Sequence, residues 1–118
     1  MTKEKSVLLE FLGDHIVVRI IDFLIENRMF DYSKKQISEG AGVDMKSLHE
    51  YWDVLEESGI VKPTRLYGDE KLYKLEEKNP VVHGLLQLEL DLIKHYAKID
   101  VKAEIEKEES KGKVPIPV

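Results

Sequence analysis

Eight side chains in the middle of this 118-residue chain are of the types that hold an anionic polymer: Lys34, Lys35, Lys46, Ser47, His49, Lys62, Arg65 and Lys71. Lysine and arginine neutralise phosphate. A lysine, serine or histidine in the first turns of a helix can reach phosphate oxygens or base edges. No comparable grouping serves catalysis. The serines lack a paired base and orienter, the carboxylates are scattered over charged faces, and no G-x-G-x-x-G, P-loop or G-x-S-x-G run occurs. Cysteine is absent, which removes thiolate metal sites, disulfides and thiol catalysis together. The four histidines, His15, His49, His83 and His95, show no H-x3-H pairing. Asp91 and His95 stand four apart on one helix face. Two ligands fall short of the four a transition metal takes, so a surface hydrogen bond is expected there. We therefore expect no catalytic residues, no metal and no cofactor.

The overall charge limits how such a cationic set can work. There are 18 Lys+Arg against 23 Asp+Glu, a net charge of −5. A protein that coats nucleic acid without regard to sequence would be strongly basic. From Asp31 to Leu75 the chain holds 7 basic and 9 acidic residues, and from Glu76 to Glu109 it holds 5 and 9. The acid therefore sits mainly in the C-terminal part. The residues beside the candidate contacts include Glu50 and Asp53, which repel phosphate although a carboxylate can accept from cytosine N4. A further acidic pair, Asp69-Glu70, lies between Arg65 and Lys71. With 15 Lys, 15 Glu and only 4 Asn+Gln, the composition leans toward a thermophilic source. The first residues, MTKEKSVLLEFL, lack the long apolar run and small-residue cleavage site of a signal peptide, and no stretch approaches a membrane span. A cytoplasmic location with no membrane contact is expected.

Those side chains need elements to place them. Asp14 is a plausible cap for a helix carrying Ile16, Val17, Ile20, Ile21, Leu24 and Ile25, and Asn27 closes it. Upstream, Val7, Leu8, Leu9, Phe11 and Leu12 are too apolar to stay in water. Ser33 followed by Gln36 is a capping box that opens a short helix with Ile37. Gly40-Ala41-Gly42-Val43 breaks that helix, and Asp44 caps a longer one from Met45 to about Ser58, ended by Gly59. Leu48, Tyr51, Trp52 and Leu55 share its core face, which makes Trp52 a packing residue. Met45, Lys46, Ser47, His49 and Glu50 share the opposite face. Ile60–Tyr67 and Lys71–Leu75 read as two strands of a hairpin, and alternation in the second predicts one buried and one wet face. Asn79-Pro80 starts a helix that runs to about Glu109, some 45 Å at 1.5 Å per residue. It carries two apolar stripes. One holds Leu85, Leu88, Leu92, Tyr96 and Ile99; the other holds Val82, Leu86, Leu90, Ile93, Ala97, Val101 and Ile105. One stripe serves one partner, so two stripes imply two.

Helix, short helix, longer helix and β-hairpin is the winged-helix order. On this order the sequence resembles the archaeal winged-helix-turn-helix transcriptional regulators related to the MarR/ArsR-type repressors. The resemblance spans roughly residues 13 to 96. It rests on Arg19-Ile20-Ile21-Asp22-Phe23-Leu24, Phe30-Asp31-Tyr32-Ser33-Lys34, Trp52-Asp53-Val54-Leu55-Glu56, Gly59-Ile60-Val61-Lys62-Pro63-Thr64-Arg65 and Lys71-Leu72-Tyr73-Lys74-Leu75. It implies a dimer on double-stranded DNA, with the third helix in the major groove and the wing on the backbone or minor groove. The chain departs from the family at positions 45, 49 and 50, which commonly carry arginine or tyrosine.

The expected fold class is mainly α with a small β-hairpin. A winged helix-turn-helix domain with an N-terminal extension covers 1–78, a dimerisation helix 79–109, and a tail with two prolines 110–118. The expected interface draws on Leu85, Leu88, Leu90, Leu92, Ile93, Tyr96 and Ile99. The leading function is a homodimeric DNA-binding transcriptional regulator. The alternative is a winged-helix protein-interaction module in a transcription, replication or viral assembly, whose acidic surface would favour a basic partner.

Overall fold

A computed structural model describes residues 6–109, with side chains described through residue 98. The elements run α1 (Val7–Leu12), α2 (Ile16–Glu26), β1 (Tyr32–Ser33), α3 (Lys34–Ala41), α4 (Met45–Glu57), β2 (Val61–Tyr67), β3 (Glu70–Leu75) and α5 (Pro80–Glu109). Three strands form an antiparallel sheet in the order β1-β3-β2. The architecture is a winged helix-turn-helix with a long C-terminal helix. The expected tail, 110–118, lies outside the described residues.

Local chemistry accounts for most of the boundaries. The Ser33 hydroxyl accepts from the Gln36 amide at 3.2 Å while the Gln36 side chain accepts from the Ser33 amide at 2.9 Å, so the expected capping box forms. Gly42 closes α3 at φ 70°, a left-handed position that suits glycine. Asp44 caps α4 by accepting from the Ser47 amide at 2.7 Å. Asn79 Oδ1 accepts from the Val81 amide at 2.7 Å, with Pro80 as the first helical residue. One expected cap is different. His15, not Asp14, is the N-cap of α2: its Nδ1 accepts from the Val17 amide. Asp14 instead receives Arg19 in a forked pair, at 2.5 and 2.9 Å.

The core joins α2, α4, the sheet and α5. Leu8, Ile20, Ile37, Leu48 and Val82 are fully enclosed, and Trp52, Leu24, Ile25, Leu55 and Leu75 almost so. Leu8 explains the apolar N-terminal run, since α1 packs on α2 and α5. Phe11 and Leu12 at its end remain exposed. Gly40 permits the close approach of α3 to α2: a Cβ there would stand 2.1 Å from the Phe23 ring.

Two sequence expectations change. The alternation in β3 does not leave one wet face, because Leu72 and Tyr73 are both buried. Tyr73 faces the core against Trp52. Leu72 lies in register between Ser33 of β1 and Arg65 of β2, outside the core cluster, and is covered on the far side of the sheet. The first half of α5 is also part of the domain rather than an appendage. Val82 and Leu92 sit in the core, and Leu85, Leu86, Leu88 and Tyr96 pack against it. Between α2 and α5, burial and the neighbouring Asp22 push the Glu89 carboxyl above its usual range.

Candidate nucleic-acid interface

The helix-turn-helix is pinned from three directions. Arg19 of α2 donates to the Gly42 carbonyl at 3.0 Å, fixing the turn between α3 and α4. The Ser38 hydroxyl donates to the Val43 carbonyl across the same turn. On the other side of α4, Trp52 meets Tyr73 edge-on at 4.9 Å, and the Lys34 ammonium lies 5.3 Å from the indole and 5.7 Å from the phenol. A cation over two aromatic faces is attracted by their quadrupoles. These contacts leave one face of α4 in water.

That face carries Met45, Lys46, His49, Glu50 and Asp53, all exposed, as the spacing predicts. Ser47 is placed differently. Its amide and hydroxyl both donate to Asp44, and those two hydrogen bonds hold the Asp44 carboxyl below the ordinary range. Ser47 thus serves the cap. Trp52 is 1% exposed and closed to any base, in keeping with a packing role.

The candidate cations of α3, α4 and the wing divide into two groups. Lys35, Lys46 and Lys71 are exposed, and among the described residues none of them forms an ion pair. Lys34 is half-buried over Trp52 and Tyr73. Lys62 pairs with Glu76 at 3.1 Å, which pulls the Glu76 carboxyl down. Arg65 forms a fork with Asp31 at 3.0 and 3.1 Å. All three arginines are therefore engaged within the protomer, since Arg28 donates to the Ile25 carbonyl.

Asp31 is the residue that sequence reasoning passed over. Arg65 and then the Thr64 hydroxyl hydrogen-bond its carboxylate and draw its pKa down to about 2. No local signal marks this pairing, because 34 residues separate Asp31 from Arg65. The sign of the linkage follows from the depressed value. The pair's contribution is complete above the unfolded carboxyl's pKa near 4 and is lost as pH falls through about 2. Asp31→Asn should therefore flatten the stability–pH curve between about pH 4 and 2. Urea midpoints taken across that interval check this, and an unchanged slope refutes it.

The wing ends in exposed Leu66 and Tyr67 before the Gly68-Asp69 turn. Further along, the Asp91 carboxylate accepts from Gln87 at 3.0 Å, while the His95 ring lies edge-on to Tyr96 at 5.7 Å. The expected Asp91–His95 hydrogen bond is thus replaced by one to the residue a turn earlier. Of the expected interface residues on α5, Leu85, Leu88, Leu92 and Tyr96 face the protomer's own core, whereas Leu90 and Ile93 are exposed. The side chain of Ile99 lies outside those described.

The fold and this surface define a winged helix-turn-helix with one solvent-facing α4 surface. No protein-family model matches the chain, and no curated protein matches it. Among solved structures it is similar to Sso10a-2, a DNA-binding protein from Sulfolobus solfataricus, at 17% identity and a TM-score of 0.49, over 73% of this chain and 90% of that one. No helix among the described residues is long and apolar enough to cross a membrane.

Proposed function

We propose that the protein is a DNA-binding transcriptional regulator that works as a homodimer. The observation that carries this reading is the division of α4. Leu48, Trp52 and Leu55 seat the helix in the core while Lys46, His49 and Glu50 stand out from its N-terminal half. That is the presentation a recognition helix needs in the major groove. Lys46 and His49 meet base edges or phosphate there, and Lys35 and Lys71 hold the backbone. The winged-helix elements together with the core-facing side of α5 form the DNA-binding unit, and the exposed side of α5 carries assembly.

Lys35, Lys46 and Lys71 of two protomers give about six phosphate contacts in a dimer. At roughly −0.9 per phosphate neutralised, log affinity should fall with log salt at a slope near −5. Lys71→Ala should lower affinity alike on all duplexes and flatten the slope by up to ~2, one contact per protomer. Lys46→Ala and His49→Ala should instead alter the ranking of duplexes. Anisotropy titrations over a salt series, with DNA flanking the gene and a scrambled duplex, measure both. Binding to neither duplex at low salt overturns the proposal.

The exposed Leu66 and Tyr67 at the wing tip, next to acidic Asp69 and Glu70, favour a second reading as a protein-interaction module. In the same titrations Glu50→Lys and Asp69→Lys separate the two. They raise DNA affinity if repulsion limits it, and create none if DNA is not the partner.

A further inference from the structure

Asp31 accepts hydrogen bonds from two consecutive residues of β2, Thr64 and Arg65, at the point where the wing bends. In β2 the pairing with β3 shifts between Pro63 and Arg65, leaving Thr64 as the extra residue of a bulge. A bulge bends its strand and re-aims the side chains around it. Both donors at this bend turn to the segment before β1. Thr64 Oγ1 donates to Asp31 Oδ2 at 2.5 Å, Arg65 Nε to the same oxygen at 3.0 Å, and Arg65 Nη2 to Oδ1 at 3.1 Å. The Asp31 side chain is 14% exposed, so the acceptor is held firmly while the arginine that reaches it remains largely in solvent.

We propose that Asp31 is a positioning residue of the DNA-binding surface: it fixes the bend of the wing and withholds Arg65 from phosphate. This rests on the DNA-binding reading above. A guanidinium fork fits phosphate as well as it fits carboxylate, so Arg65 is the wing cation for which DNA competes most directly. To reach phosphate it must abandon Asp31, whose charge then stands unpaired beside a polyanion. That penalty applies to every sequence equally. It lowers affinity for every duplex alike and leaves the contacts of Lys46 and His49 untouched, so Asp31 sets the general affinity and its salt dependence while the ranking of sites stays with those contacts.

The test compares wild type, Asp31→Asn, Arg65→Ala and the double variant on a scrambled duplex across a salt series. Arg65→Ala should keep the wild-type slope. Asp31→Asn should steepen it by up to ~2, one new phosphate contact per protomer, and tighten binding about tenfold at low salt. The double variant should lose that gain. An unchanged slope in Asp31→Asn, or a flattened one in Arg65→Ala, overturns the withholding of Arg65. Amide hydrogen exchange of the free proteins tests the positioning role without DNA: residues 64–67 should exchange faster in Asp31→Asn and Arg65→Ala, and unchanged exchange overturns it. Absence of wild-type binding instead refutes the DNA reading and is seen separately, in the first titration.

Discussion

Truncating Trp52 to alanine should cost the fold about 3–5 kcal/mol, a large share of the 5–15 kcal/mol that keeps a typical domain folded. The side chain is 1% exposed and joins three elements: it lies on α4, meets Tyr73 of β3 at 4.9 Å and carries the Lys34 ammonium of α3 at 5.3 Å. Removing it opens a cavity at the junction that sets the angle between helix-turn-helix and wing. It also exposes the Lys34 stem and frees a cation. Thermal unfolding followed by far-ultraviolet circular dichroism is the suitable measurement, because Trp52 is the only tryptophan. A fall of about 15 °C or more in Tm is expected. Trp52→Phe retains an aromatic face and should fall by less than half as much. A loss under ~1 kcal/mol for the alanine variant would show that the junction rests on other contacts.

Charging the exposed stripe of α5 should dissociate the proposed dimer. Leu90 and Ile93 are 50% and 47% exposed although three residues apart on a helix whose adjacent face is filled by the protomer's own core. Ala97, four further on, is exposed as well. The 90-93-97 spacing is that of a helix-packing seam. In an isologous pairing each substitution acts twice, so Leu90→Glu with Ile93→Glu places four carboxylates at one seam. Losing ~3 kcal/mol or more of apolar burial raises the dimer dissociation constant at least about 100-fold. Light scattering at high micromolar concentration should give twice the chain mass for wild type and the chain mass for the variant, with unchanged circular dichroism. Leu92 serves as the contrast. It is buried in the protomer, so Leu92→Glu should unfold the chain rather than separate two folded copies. Monomeric wild type would end the assembly reading.

The two effects bear on function through geometry. On the proposed reading, α4 enters a groove only if Trp52 holds its angle, and two copies span two half-sites only if α5 joins them. On that reading the residues proposed to touch DNA are a minority of those on which binding depends. Most of the rest are apolar and lie on the far side of the elements that present them.

Much of this was legible along the chain. The Ser33–Gln36 box, the caps at Asp44 and Asn79, the glycine-containing break after α3 and the core face of α4 depend on groups close together in the chain, and backbone geometry brings those groups together wherever the helix forms. The exposure of Lys46 and His49 follows from the same helical period. What tertiary structure alone decided is which charges are free. Arg65, Lys62 and Lys34 look like phosphate ligands in sequence, yet Asp31, Glu76 and the Trp52–Tyr73 pair engage them. The register of β3 between β1 and β2 places Arg65 within reach of an acid 34 residues away, and no periodicity encodes that distance. The same holds for α5. Its two stripes were visible as a pattern, but only packing against α1 and the core showed that Leu85, Leu88, Leu92 and Tyr96 are consumed within the protomer while Leu90 and Ile93 are left. Amphipathicity says that a face must be covered; what covers it depends on the rest of the chain.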